Sequence, residues 1–182
     1  MKYLFLLILV LAGCEGIRPQ QVSFERPVVN VPRECRQSNW LGSLGQGSCV
    51  HATMISLLRW QGRYDTAAQW KNKYGNGESP EGLVAKFEAN GTRFAETTLG
   101  DVAFLEWAVR TRRGCGVTVM GGKHMVALVH LDNQFAILLD NNRVDRFIVV
   151  PRETFLAEWK NSYGWAITIL YAPAAPLPQV VF

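Results

Sequence analysis

No apolar run in this chain is long enough to cross a bilayer. The run from Tyr3 to Ala12, within MKYLFLLILVLAGC, falls short of the roughly 20 residues a spanning helix needs. Charge of one sign is also scarce. With 19 basic against 15 acidic side chains the net charge is +4, too small an excess to demand a polyanionic partner, and nucleic acid is not expected as a ligand. The one tight basic group, Arg110, Arg112 and Arg113, falls at the end of a predicted helix, where cations suit both solvent and the helix dipole. No internal repeat is visible, which argues against a solenoid or propeller. There are only three histidines, so any general base or metal ligand of that type must be His51, His124 or His130.

What the amino end does have is a lysine, the short apolar run and small residues before Cys14, the pattern of a signal peptide over residues 1–14. Leu11-Ala12-Gly13-Cys14 resembles a bacterial lipobox, which predicts an exported protein lipidated on Cys14 and held to a membrane by its acyl chains. An ordinary secretion signal is the alternative. Export implies an oxidising compartment, so the remaining cysteines matter. Of Cys35, Cys49 and Cys115, the first and last are expected to pair, leaving Cys49 free.

Residues 15–38 carry Pro19, Pro27 and Pro32 without a sustained period and are predicted to be a linker; 172–182 form a proline-rich tail. The mature domain is placed at 39–171, and 48% hydrophobic residues suffice for one core. Helices are predicted from Cys49 to Trp60 with Ser48 as N-cap, from Asp65 to Tyr74, after Ser79-Pro80-Glu81 as far as Gly91, and from Val102 to about Arg112 capped by Asp101. After Gly116 the pattern becomes strand-like: Val117–Met120, His124–Leu131, Phe135–Leu139, Arg146–Val150 and Trp165–Tyr171, with one helix from Pro151 to Trp159. Helices followed by an antiparallel sheet make an α+β fold of two unlike halves, and a cleft between them suits a site built from both.

Cys49 falls in the first turn of a predicted helix reached through the glycine-rich stretch 42–47. Unpaired N–H groups and the helix dipole there favour the thiolate, the reactive form. His51 lies about 200° around the helix from Cys49 and is expected to pack or face solvent. His130 is near a hairpin turn, where a surface or capping role fits. His124, after Gly121-Gly122-Lys123 at the mouth of a strand, is the candidate base. A zinc site of Cys49, His51, His124 and Asp140 is disfavoured, because a Cys-x-His pair on one helix diverges. No metal or cofactor is called for. A base needs an orienting partner. If Asp132 and Asn133 form the turn of the 124–139 hairpin, pairing places Asn141 opposite His124, and a one-residue slip brings Asp140 or Asn142 there instead.

The order Gly47-Ser48-Cys49, helix Val50-His51-Ala52, His124 at a strand head and a polar residue 16 positions later resembles the papain-like cysteine peptidase superfamily, and is similar to its bacterial leader-trimming, bacteriocin-processing type. Asn161 to Ile169 resembles the aromatic, glycine-containing loop and strand that close the sheet half. The resemblance implies a papain-like fold, a helical half carrying the nucleophile Cys49, a sheet half carrying His124, and Asp140 as third member with Asn141 as alternative. It also implies a peptide or protein substrate cut at an amide bond. The family's oxyanion glutamine, six residues before the nucleophile, is here Ser43, so Gln46 is the candidate donor together with the Cys49 N–H. A catalytically weak lipoprotein of the same fold, binding peptide or cell-wall material in its cleft, is the alternative function.

Overall fold

The computed structural model describes residues 31–41 and 47–171. The signal and lipidation expectations for residues 1–14 with Cys14, the Gln46 assignment and the 172–182 tail lie outside the described residues. Among the described residues no helix is long and apolar enough to cross a membrane.

The chain runs through a 3-10 turn (Arg33–Cys35), α1 (Cys49–Trp60), α2 (Tyr64–Lys73), α3 (Pro80–Ala89), β1 (Phe94–Thr97), α4 (Val102–Arg110), β2 (Cys115–Val119), β3 (His124–Leu131), β4 (Phe135–Leu139), β5 (Ile148–Pro151), α5 (Arg152–Asn161) and β6 (Ala166–Ile169). The fold is α+β, helical in its first half with an antiparallel sheet in its second, ordered β1-β6-β2-β3-β4-β5. β1, which the sequence pattern did not suggest, lies at one edge and pairs only with β6. Residues 31–38, expected to end a linker, are instead packed, with Val31 and Cys35 buried in the core beneath α1.

Side chains of β3 alternate between two cores. Met125, Ala127 and Val129 pack with α1, α2 and α3, whereas Val126 and Leu128 face α4 and α5 on the other side of the sheet. α1 is buried at every residue but Arg59, the signature of a central helix rather than a surface one. Its approach to the sheet is close: a Cβ on Gly116 would lie 2.6 Å from the Met54 Cε and would force that side chain to shift. The two cores also explain the missing disulfide. Cys35 sits in the α1 core and Cys115 in the α4–α5 core, and both thiols are free.

The N-caps expected at Ser79 and Asp101 are made, to the N–H groups of Gly82 (3.1 Å) and Ala103 (2.9 Å). Ser48 does not cap α1 with its side chain. Its hydroxyl accepts from the N–H of Trp40 and of Leu41, and the Ser48 N–H is bound by Asn39 Oδ1 at 2.9 Å. Asn39 thus ties the chain before the glycine-rich stretch to the start of the helix.

Candidate active site

The β3–β4 hairpin decides which polar residue meets His124. Its turn is not Asp132-Asn133: Asp132 N–H bonds the Phe135 carbonyl at 3.0 Å, so Asn133 and Gln134 are the turn residues. The Asp132 carboxylate stabilises that turn by accepting both Gln134 and Phe135 N–H at 2.7 Å, and it takes His130 Nε2 at 2.9 Å. Pairing starts as Leu131↔Ala136, and a bulge between Leu128 and His130 then shifts it to Leu128↔Leu138 and Ala127↔Leu139. Continued, this register sets position 142, not Asn141, opposite His124. Leu138 shares a core with Val126 and Leu128. By strand alternation Asp140 lies on that same face with His124, and Asn141 on the other.

The side chains follow this register. Asp140 Oδ1 is 2.9 Å from His124 Nε2 and also accepts the Asn142 N–H at 2.9 Å. Asn142 Nδ2 is 3.5 Å from the same ring nitrogen, and Asn142 Oδ1 accepts from Asn39 Nδ2 at 3.1 Å. With Nε2 turned to Asp140, Nδ1 is the nitrogen left for Cys49, whose thiol and the His124 side chain act on each other's titration. Asn141 is elsewhere. Its buried amide Nδ2 reaches the Met125 carbonyl (2.8 Å), the Cys49 carbonyl (3.1 Å) and Thr53 Oγ1 (3.1 Å), pinning the first turns of α1 to β3.

The electrostatics favour a separated charge pair. Burial alone raises the Cys49 thiol, but hydrogen bonds from His124 and from the backbone of Met125 and Val50, with the imidazolium charge, bring it below its ordinary value. Burial opposes charge on His124 too, yet Asp140 and the Cys49 sulfur overcome it and raise the imidazole to about 9. Burial of Asp140 is likewise outweighed, chiefly by His124 and the Asn142 N–H, so its carboxyl is held low. All three shifts run toward thiolate, imidazolium and carboxylate. These titrations are coupled, and the pKa values describe the cluster rather than each residue.

Cys49 and His124 open into a cleft of about 580 Å³ with Val50, Glu78, Thr118 and Trp165 among its walls. Beside His124 the β2–β3 turn takes left-handed backbone at Met120, Gly121 and Gly122. Met120 N–H is fixed to Glu158 Oε1 at 2.6 Å and Gly121 N–H to Ser162 Oγ at 2.9 Å. At Gly122, φ +80°, any side chain would be strained, and its Cβ would displace the Tyr163 ring 2.5 Å away. The 161–169 segment therefore buttresses the histidine's turn from α5.

Sequence reasoning picked out Cys49, His124 and Asp140, which the fold brings together. It offered Asn142 only as an alternative partner of His124, and it missed Asn39, Glu158 and Ser162, whose bonds span 38 to 103 positions of chain and carry no local pattern. His51 is packed rather than exposed. It turns to Trp70 and away from Cys49, so the four-residue zinc set is not assembled. His130 keeps the turn-side, partly exposed role expected of it.

No family model matches the chain, and no curated protein matches it. A crystal structure from Bacillus anthracis, provisionally described as a C39-like peptidase, superposes with a TM-score of 0.60 at 13% identity, covering 81% of this chain and 100% of that one. At that identity the likeness concerns the fold, and the chain has the papain-like fold of a C39-like peptidase.

Proposed function

We propose that this protein is a papain-like cysteine peptidase or amidase in which Cys49 is the nucleophile, His124 the acid and base, and Asp140 the residue that orients the imidazole. The observation that carries the reading is His124 standing between the Cys49 thiol and the Asp140 carboxylate, 2.9 Å from the latter, at the wall of a cleft. In the reaction the thiolate attacks the amide carbon, and the His124 imidazolium gives its proton to the departing amine. Water, losing a proton to His124, then attacks the thioester and frees the acid and the thiolate. The Cys49 N–H, at the start of α1, is one candidate for the oxyanion, and Gln46 is proposed as the second donor.

An aspartate at the third position and the C39-like likeness support the leader-trimming type within this class. The Leu11-Ala12-Gly13-Cys14 run supports export with lipid on Cys14. Mass analysis after expression in a bacterial host tests that part, and an unmodified chain beginning at Met1 sinks it. For the activity, a mixed peptide library is incubated with wild type and Cys49→Ala, and the products are sequenced by mass spectrometry. New termini with wild type alone are expected. Identical spectra from both across pH 5–9 would leave a peptide-binding module in place of an enzyme.

A further inference from the structure

A chain of side-chain amides runs from the residue before the nucleophile to the far nitrogen of the base. A backbone N–H can only donate, so the Ser48 N–H, at 2.9 Å, fixes which end of the Asn39 amide faces α1: it is Oδ1. The Ser48 hydroxyl agrees. It accepts from the N–H groups of Trp40 and Leu41, which leaves its own hydrogen for the same Oδ1. Asn39 Nδ2 then points the other way and donates to Asn142 Oδ1 at 3.1 Å. That in turn sets the Asn142 amide with its nitrogen, not its oxygen, 3.5 Å from His124 Nε2. The backbone holds both residues in place. Asn39 N–H donates to the Asn141 carbonyl at 2.8 Å, and Asn142 N–H donates at 2.9 Å to Asp140 Oδ1, the same oxygen that His124 uses.

We propose that Asn39 and Asn142 are positioning residues: two amides oriented in series by the Ser48 N–H hold a donor against His124 Nε2, and so leave Asp140 Oδ1 as the acceptor for the Nε2–H. Turned over, Asn142 would offer its oxygen to that hydrogen, and two acceptors would compete for it. With one acceptor the ring has one orientation, and its other nitrogen, Nδ1, stays with Cys49. The donor end of the amide beside Nε2 also disfavours a positive ring, so the proton destined for the leaving amine is held less tightly than Asp140 alone would hold it. These consequences for catalysis rest on the peptidase reading, whereas the order of the amides does not. The charged groups around the ring are Cys49 on α1 and Asp140 after β4, both of which favour the imidazolium. Arg143 acts on Asp140, and Lys123 precedes the histidine in the cleft wall. The series makes a definite demand: a change at position 39 must reach His124 through Asn142.

Titration of the His124 ring nitrogens by NMR, on the full chain labelled with nitrogen-15, tests this. His51→Gln and His130→Gln assign the three imidazole signals. Asn39→Ala frees the Asn142 amide to turn its oxygen toward the Nε2–H, and should raise the His124 pKa by about half a pH unit or more although no charge is added. Asn39→Asp keeps the oxygen that Ser48 uses, so the start of α1 is retained, but it sets an acceptor against Asn142 Oδ1 and should turn that amide over, with a rise of about one pH unit. Both are repeated with Asn142→Ala. There Asn39→Ala should leave the His124 pKa where Asn142→Ala alone puts it, and Asn39→Asp should keep less than about half of its effect, the part due to charge alone. A His124 pKa that Asn39→Ala lowers or leaves unmoved, or that Asn39→Asp shifts equally with and without Asn142, overturns the proposal. Should Asn39→Ala fail to fold, the Asn39→Asp comparison decides alone. Cys49→Ala in the same experiment addresses the other reading. Loss of the thiolate should lower the His124 pKa, and an unchanged value counts against the Cys49–His124 pair and so against the peptidase, while the position-39 variants still decide on the amides.

Discussion

Replacing Asn141 with alanine should damage stability, and replacing Asp140 should damage chemistry, although the two residues are adjacent. Asn141 is 3% exposed, and its Nδ2 has two hydrogens for the Met125 carbonyl, the Cys49 carbonyl and Thr53 Oγ1. Removing the amide strips a partner from two buried carbonyls on different elements. Each such loss costs about 1–3 kcal/mol. The lower half of that range applies to Met125, whose oxygen keeps the Thr53 hydroxyl at 3.2 Å. A total of about 2–5 kcal/mol follows, or about 4–20 °C in melting temperature for a chain of this size. Thermal unfolding followed by circular dichroism measures it. Alkylation of Cys49 by iodoacetamide at 20 °C reads the site in the same samples. Asn141→Ala should lower the melting temperature while the pH profile of alkylation keeps its midpoint, and Asp140→Ala should move the midpoint with little thermal effect. The reasoning fails if Asn141→Ala melts within 1 °C of wild type and shifts the alkylation profile as Asp140→Ala does.

The proposed mechanism uses the His124 imidazolium, raised to about 9, so the alkaline limb of kcat/KM should lie near pH 9 and the acid limb where the lowered Cys49 thiolate is protonated. Asp140→Asn removes the anionic acceptor 2.9 Å away. A charge-assisted hydrogen bond of about 1.5–3 kcal/mol corresponds to about 1–2 pH units, so the alkaline limb should fall toward neutrality, and an unmoved limb would remove Asp140 from the site. Alkylation in denaturant without reductant should modify Cys35, Cys49 and Cys115 alike, and a disulfide-linked peptide joining any two would contradict the two-core packing.

Elements whose signals are local were legible in the sequence. Strands His124–Leu131 and Phe135–Leu139 have the expected bounds, because apolar runs framed by Gly121-Gly122 and Asp132-Asn133 leave little freedom. Helices α3 and α4 begin where Ser79-Pro80 and Asp101 predict, since caps are read from side-chain chemistry alone. The partner of His124 could be narrowed only to 140–142. A bulge near Val129 and a turn displaced by one residue act together on the register, and neither leaves a residue-level mark that regular pairing would reveal. Phe94–Thr97 escaped because a four-residue edge strand has too few positions to show a period. The Cys35–Cys115 pairing rested on parity of cysteine count, which says nothing about which face of a sheet each thiol occupies. Ser48 has the right residue type for a cap, but tertiary bonds to Trp40, Leu41 and Asn39 claimed its hydroxyl.

The catalytic reading stands or falls on whether His124 activates Cys49. Iodoacetamide labelling of Cys49, quantified by peptide mass spectrometry from pH 4 to 10 in wild type and His124→Ala, measures this without knowledge of the substrate. Wild type should be alkylated selectively at Cys49 well below the ordinary thiol range, with the midpoint moving upward in His124→Ala as the imidazolium is lost. Coincident profiles in the two proteins would mean that His124 is not the base.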